Sequence, residues 1–329
     1  AHNLSLWKIA EGYLEVLAGD YYSARKTFQR VRDQVENPTL REQLQVFEMV
    51  LEIAAWTQIN EKVELKAYAY MNDEPLFKKY PDFEAFLRTK LAFLYKQNLS
   101  PGKAFLMEHQ VSDLKYHPEM SLLNDLIALA EKVNHNRFER LLIEDEEGRN
   151  IEYELLDIKG ALLMGEYQLE SANEVFKKIP RTERARFGKF NPFQERLRPC
   201  VHCPRRIVDT LEYTRPELVN RLLDLEYQAR ADREKSAAYY YLLGIGFYNL
   251  SYYGYSWNAL DFFRSGSSWG YRNPENVYPH YQAPEGNKEY KDLSRALAYF
   301  ETARVIAHNS QPELAARATF MAARCRQKQ

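Results

Sequence analysis

Apolar residues recur at helical spacing along almost the whole chain, and this periodicity constrains the fold more than any other feature. Residues three or four positions apart lie on one face of an α-helix, so each set predicts one buried helix face. The 329 residues include only 13 Gly and 14 Pro, too few for the many turns of an all-β sandwich or barrel. The sequence therefore predicts an all-α fold. Four of the periodic sets are Leu44, Phe47, Leu51 and Ala54; Phe83, Leu87, Leu91 and Leu94; Met120, Leu123, Ile127 and Ala130; and Leu218, Leu222, Leu225 and Ala229.

Helix start signals agree with this periodicity. Thr214-Arg-Pro-Glu217 and Ser310-Gln-Pro-Glu313 have the spacing of capping boxes, in which the first and fourth residues cap each other's backbone N–H groups. Ser100-Pro101 is typical of an N-cap followed by Pro in the first turn. We therefore expect helices to begin at these three places.

A pattern of small and aromatic residues predicts how the helices pair. Gly12 is followed by the turn Gly19-Asp-Tyr and then by Ala24, Phe28 and Val31. This segment resembles the tetratricopeptide repeat, in which small residues lie where two antiparallel helices touch and an aromatic ring fills the gap toward the next pair. The resemblance implies an α-α superhelix, a solenoid of helical hairpins with a long concave surface.

Further segments show parts of the same pattern, and each predicts another helix of this kind. The second copy differs in its turn, which Gly165-Glu-Tyr predicts to be two residues longer. Residues 40–150 match only as helix pairs. The further copies are Gly160 with Ala172 and Phe176; Gly244 with a second helix at Ala259–Phe263; and a fourth second helix at Ala296–Phe300.

Two segments rich in helix breakers interrupt the array. Asn191-Pro192, Pro199 and Pro204 would end any helix in the first of them. The second is longer than the ~12–15 residues usual for a structureless connection. The predicted organisation is residues 1–180, an N-terminal helical-repeat array; 181–214, a Pro- and Arg-rich connector; and 215–329, C-terminal repeats that include an aromatic loop at 264–290.

The charge balance indicates no general attraction to nucleic acid or to anionic lipid. The 45 Lys and Arg residues are matched by 46 Asp and Glu residues, and the formal net charge is -1. No stretch approaches the ~18 continuous apolar residues of a membrane span. The first residues, Ala-His-Asn-Leu, lack an initiator Met and the layout of a signal peptide, so we expect a processed product or a fragment.

Cys200-Val-His-Cys203 is the one compact arrangement in the sequence that could hold a metal or a disulfide. Structural zinc takes four ligands, usually from two such pairs, and Cys200, His202 and Cys203 supply only one pair and a His. A redox role lacks the βαβ context of thioredoxin-like motifs. We rank a local disulfide or two free thiols first, a zinc site second and redox chemistry third.

Three Phe residues, Phe187, Phe190 and Phe193, alternate with basic residues in the connector. Aromatic rings interleaved with positive charge could bind single-stranded nucleic acid. The total charge provides no supporting field, so we expect these side chains to anchor the connector to the helices instead.

The familiar enzyme motifs are missing from the sequence. It contains no Walker phosphate loop, no His-Glu-x-x-His and no Gly-x-Ser-x-Gly. Gly244-Ile-Gly246 lies inside a helical pattern rather than after a strand, so it predicts close helix packing and not a dinucleotide site. We predict a chain that is not an enzyme and binds no cofactor, while a catalytic site assembled from distant residues stays open.

Aromatic residues make up 14% of the chain, including 24 Tyr, and the C-terminal third has more of them than its repeat positions need. Many fall in turns or in the loop, where binding residues concentrate, so they predict the principal binding surface. A loop that folds back over the last apolar groove explains them equally well. The predicted partner-binding residues are Tyr252, Tyr253, Tyr255, Trp257, Trp269, Tyr271, Tyr278 and Tyr281.

These features favour a helical-repeat scaffold for protein–protein interaction. The alternatives are a carbohydrate- or peptide-binding protein of the cell envelope and a hydrolase with its site in the aromatic C-terminal region. The stretch Tyr239–Trp257, with Asn191-Pro-Phe193 and the two Cys, resembles the C-terminal part of large bacterial cell-envelope proteins of unassigned activity. That resemblance implies a location in the bacterial cell envelope or periplasm.

Overall fold

The computed structural model describes residues 2–116, 119–145, 147–195, 211–260 and 292–328. Within these ranges every regular element is a helix, and extended residues occur only as isolated bridge positions, at Glu144 and Asn150 and at the antiparallel bridge between Phe190 and Tyr213. The predicted all-α class is confirmed. The α-helices are α1 (His2–Leu17), α2 (Tyr21–Arg32), α3 (Pro38–Ala54), α4 (Glu61–Asp73), α5 (Pro75–Lys79), α6 (Pro81–Gln97), α7 (Pro101–Glu108), α8 (Met120–Ala130), α9 (Arg137–Ile143), α10 (Glu152–Gly165), α11 (Leu169–Lys177), α12 (Arg181–Arg184), α13 (Arg215–Ala231), α14 (Ser236–Leu250), α15 (Ser294–Ala307) and α16 (Pro312–Lys328). Short 3-10 helices are Val111–Tyr116, Ala185–Phe187 and Trp257–Leu260.

The helices gather into two compact units. Unit 1 consists of Ala1–Gln110 and Ala128–Arg149, and unit 2 of Val111–Ile127 and Asn150–Gln329. In unit 1, α1 packs on α2, α6 on α7 and α4 on α9. In unit 2, α10 packs on α11, and α13, α14, α15 and α16 pack in succession. The division at residues 180 and 214 follows the sequence repeats and stays a prediction.

A contact between a Gly and a Phe recurs in the first two predicted helix pairs, and in each pair it joins the first helix to the second. A Cβ atom added to Gly12 of α1 would lie 2.4 Å from the Phe28 ring of α2. A Cβ atom on Gly160 of α10 would lie 2.4 Å from the Phe176 ring of α11. Carbon atoms pack best at ~3.5–4.0 Å, so only Gly permits the ring to lie this close to the first helix.

The third pair corrects the predicted pattern. We expected Gly244 to meet a second helix at Ala259–Phe263, but the ring of Phe300 in α15 fills this position, 2.6 Å from an added Cβ. Ala259 lies in the 3-10 helix Trp257–Leu260, and residues 261–263 lie outside the described ranges. Ala296 and Phe300 have the same spacing as Ala and Phe in the first two pairs. A long insertion between paired helices costs little, because loop-closure entropy grows slowly with length.

The turns between paired helices share one left-handed residue. Gly19, Leu99 and Tyr167 have φ angles of 78°, 53° and 60°. The turn of the second copy is therefore not two residues longer, because Gly165 is the last residue of α10 and Tyr167 takes the left-handed position. The α6–α7 pair, which the sequence matched only as a helix pair, shares this geometry. Each left-handed residue follows a buried small residue by seven positions and precedes a buried Ala by five: Gly12 and Ala24; Ala92 and Ala104; Gly160 and Ala172.

Two of the three predicted helix starts are confirmed. Thr214 and Glu217 form the capping box of α13, and Pro101 begins α7 directly after Ser100. The third start is shifted by one residue. Helix α16 begins at Pro312, and the Gln311 carbonyl accepts the first helical hydrogen bond, so Gln311 takes the N-cap position expected of Ser310.

Candidate functional site

Of the predicted partner-binding residues, Tyr252, Tyr253 and Tyr255 lie between α14 and the following 3-10 helix and Trp257 begins that helix; all four are half-buried. The other four predicted residues, Trp269, Tyr271, Tyr278 and Tyr281, lie outside the described ranges, as do the metal candidates Cys200, His202 and Cys203.

A tight turn after α14 positions the first group. The Ser251 carbonyl accepts a bond from the Gly254 N–H at 3.0 Å, and the Asn249 carbonyl accepts one from the Ser256 N–H at 3.0 Å. A Cβ atom on Gly254 would lie 2.2 Å from the Asn249 Cα, so the turn requires Gly at this position. The turn brings Tyr255 beside the end of α14.

Side chains at and just before this turn hold an irregular part of the connector, which itself turns at Pro192 and Phe193. Residues Asn191–Glu195, the 191–195 segment, contain neither helix nor strand. The Asn249 side-chain amide donates to the carbonyl oxygens of Pro192, at 2.7 Å, and Gln194, at 3.1 Å. The Tyr255 hydroxyl donates to the Gln194 oxygen at 2.8 Å. Side chains of the helical array therefore bind the main chain of the segment.

The Phe193 ring of this segment packs against Gly246. A Cβ atom on Gly246 would lie 2.9 Å from the Phe193 ring and 3.5 Å from the Leu222 side chain. Tyr213 meets the Phe193 ring edge-on, with 5.7 Å between centroids. Phe193 is anchored to the helices as predicted, and the close packing predicted for Gly246 involves the connector most closely and Leu222 of α13 beyond it.

Two side chains bind the Glu195 carboxylate. The Tyr241 hydroxyl of α14 donates to Oε1, and Nη1 of Arg317 in α16 lies 3.2 Å from Oε2. Burial, and then the hydrogen bond to Glu195, raises the pKa of Tyr241, so the phenol stays protonated and donating. The carboxylate thus meets one neutral donor and one cation.

Together these contacts define a surface that binds a main chain, an aromatic ring and a carboxylate. Sequence reasoning chose Tyr255 for this region and predicted close packing at Gly246, but missed Tyr241, Asn249 and Arg317, because they belong to α14 and α16 and carry no local motif. We call this surface the α14 groove; its residues are Tyr241, Gly246, Asn249, Tyr255 and Arg317.

The remaining described aromatic residues of the prediction contact the fold itself. The Tyr253 hydroxyl donates to the Lys328 carbonyl at 3.0 Å, and the Tyr252 ring meets the Tyr253 ring edge-on at 5.4 Å. Whether these side chains also bind a partner stays a prediction.

Unit 2 contains a buried ion pair between Arg215 and Asp157. The guanidinium also donates to the carbonyl oxygens of Ala259 at 2.7 Å, Phe187 at 3.0 Å and Asn258 at 3.1 Å. Because the charge is shared with three main-chain acceptors from two 3-10 helices, this arrangement holds the fold together rather than presenting a reactive group.

Unit 1 contains a second buried charge cluster. Lys103 Nζ lies 2.8 Å from both Glu64 Oε1 and Glu139 Oε1, and Lys132 Nζ lies 2.6 Å from Glu139 Oε2. Burial raises the pKa of Glu139, but the hydrogen bonds from Lys103 and Lys132 outweigh it and lower the pKa to about 2. Glu139 is therefore ionised at neutral pH and cannot act as a general acid there.

Among the described residues no group of three or more His, Cys, Asp and Glu side chains could hold a metal ion. The described thiol, Cys325, is buried, and burial raises its pKa to about 12. This thiol stays protonated at neutral pH and is a weak nucleophile.

Helix α1 exposes a stripe of large apolar side chains. Trp7 is 71% exposed, Leu14 64% and Leu17 65%. In α10, the first helix of the second pair, the position equivalent to Trp7 is Leu155, which is fully buried. We call this stripe the α1 face; its residues are Leu4, Leu6, Trp7, Tyr13, Leu14 and Leu17.

No described helix combines the length and apolar character needed to cross a membrane. No family model matches the chain, and no curated protein and no solved structure matches it.

Proposed function

We propose that the protein is a helical-repeat scaffold that binds partner proteins, and that the α1 face is a docking surface. The observation that carries this proposal is the difference between two equivalent helices of one chain. Trp7 is mostly exposed on α1, whereas its counterpart Leu155 on α10 is covered. Contiguous exposed apolar side chains mark interaction sites in soluble proteins, since leaving them in water is unfavourable.

The partner that fits this face is an amphipathic helix. Packing in unit 2 supports this, because Leu155, at the position equivalent to Trp7, is buried in α10, a helix that packs on α11 and α13. We also propose tetratricopeptide-like stacking of the hairpins in unit 2 into a superhelix, which the recurrence of the Gly–Phe contact supports. A location in the bacterial cell envelope remains a prediction of the sequence resemblance.

The test is affinity capture from an extract of the source cells with wild-type protein, Leu14→Glu and a control, Val133→Glu. Val133 is 92% exposed and lies outside the α1 face, so its replacement adds the same charge elsewhere in unit 1. We expect partners to be retained by the wild type and the control and lost with Leu14→Glu. Equal capture by all three proteins would exclude the α1 face.

Further measurements on the purified chain separate the alternative functions. Analytical ultracentrifugation of the purified chain shows whether the partner is a second copy. A chain that captures no protein but binds on a glycan array would contradict the scaffold and favour the carbohydrate-binding alternative. Turnover of a glycoside or peptide substrate would favour the hydrolase.

A further inference from the structure

The α14 groove in unit 2 is occupied by the protein's own chain, and the way it is occupied indicates what else it could bind. The 191–195 segment is held mainly by side chains and not by regular main-chain pairing. Asn249 and Tyr255 together contact the carbonyl oxygens of Asn191, Pro192 and Gln194. Contacts to main-chain oxygens are available to any peptide that adopts the conformation of this segment, whatever its side chains.

Specificity would come from two further contacts at fixed spacing. The position against Gly246 accepts an aromatic ring, because a Cβ at residue 246 would lie 2.9 Å from the ring of Phe193. Two residues later, Tyr241 and Arg317 bind the Glu195 carboxylate. Charge complementarity between Arg317 and this carboxylate adds to the hydrogen bond from the Tyr241 hydroxyl.

We propose that the α14 groove recognises peptides in which an aromatic residue precedes an acidic residue by two positions, and that the 191–195 segment is an internal ligand that blocks this groove. The segment is part of the same chain, so its effective concentration at the groove is of millimolar order and an external peptide competes poorly. A partner that displaces the segment gains access to the groove. The proposal concerns a surface different from the α1 face and goes beyond the scaffold function.

The test compares peptide binding to a blocked and an unblocked groove. The probe is a fluorescent peptide with the sequence of residues 189–196, Lys-Phe-Asn-Pro-Phe-Gln-Glu-Arg. The unblocked protein is Phe193→Ala/Glu195→Gln, in which the segment loses both side chains that the groove binds. Fluorescence anisotropy should show at least tenfold tighter binding to this variant than to the wild type.

Two controls make the result specific. A probe with Ala in place of its second Phe should bind the unblocked protein at least tenfold more weakly. Adding Arg317→Ala to the unblocked protein should have a similar effect on the original probe, because it removes the cation that faces the acidic residue.

Circular dichroism and thermal melting establish that each variant is folded. If the double variant does not fold, Glu195→Gln alone replaces it, since this side chain is partly exposed and its replacement removes one of the two side-chain contacts that hold the segment in the groove. A folded variant that binds the probe no better than the wild type, or binds it equally after Arg317→Ala, overturns the proposal. Peptide binding to the α14 groove does not depend on partner capture by the α1 face, so either proposal can fail while the other holds.

Discussion

At the scale of single residues, the contact between Gly160 and Phe176 shows why a helix pair needs Gly in its first helix. Gly is a poor helix former, costing about 1 kcal/mol relative to Ala. It remains favourable here because an added Cβ would lie 2.4 Å from the Phe176 ring. The ring then fills the space between α10 and α11 and is itself fully buried.

Gly160→Ala should therefore lower the free energy of unfolding by about 1–3 kcal/mol despite the gain in helix propensity, because overpacking costs more than the propensity returns. Urea denaturation measures the change. In the double variant Gly160→Ala/Phe176→Leu the smaller side chain should relieve part of the clash, so the two substitutions should not be additive. A single variant as stable as the wild type would contradict the packing argument.

Leu99 offers the opposite case, an unfavourable residue at an exposed turn. It has φ of 53° and is 89% exposed, so nothing compensates the strain of a left-handed Leu. Leu99→Asn should raise the free energy of unfolding by up to about 1 kcal/mol, because Asn tolerates this conformation. The same replacement at exposed Leu65 within α4 should be destabilising, since Asn is the poorer helix former.

At the scale of elements, Arg215 joins the first turn of α13 to α10 and to two 3-10 helices. Arg215→Ala should lower the free energy of unfolding of unit 2 by about 3–5 kcal/mol, because it removes the cation that pairs with the buried Asp157 carboxylate. Arg215→Met/Asp157→Leu should recover part of this loss, since it removes both charges. Equal loss in the single and double variants, measured by urea denaturation, would show that the charge is not the cause.

The Glu139 cluster between α9 and its neighbours should make unit 1 sensitive to acid. The folded-state pKa of Glu139, about 2, lies below its usual value of 4.5. The stability that the ionised Glu139 carboxylate contributes to the fold is therefore complete above about pH 4.5 and is lost as the pH falls toward 2. Thermal melting of Glu139→Gln should show a shallower fall in melting temperature over this range than the wild type. Exposed Glu36→Gln is the control and should retain the wild-type slope.

At the scale of the whole molecule, the fold class follows from local patterns and is directly measurable. Far-UV circular dichroism should show the double minimum of a mainly helical protein. A substantial strand fraction would contradict the all-α class for the chain as a whole.

The binding surfaces depended on more than local pattern. Helical spacing predicted α13 and α14, and the breakers near Asn191 predicted that the connector leaves the helical array. Nothing local indicates that Asn249 would meet Pro192, since 57 positions separate them in the chain. The exposure of Trp7 likewise cannot be predicted from the sequence. Trp7 and its repeat equivalent Leu155 are both large apolar residues at the same helical position, yet only Leu155 is buried.

The sequence by itself determined the helices and the positions of close contact. Periodicity, caps and small residues act within one or two turns, and the distance between Gly160 and Phe176 along the chain suits a single hairpin. Only the tertiary structure decided which second helix meets Gly244 and what lies against Gly246. Which residues are buried depends on which elements pack against each surface. Phe300 packs against Gly244 although a long insertion separates them in the chain, because closing a longer loop costs little more entropy than closing a short one.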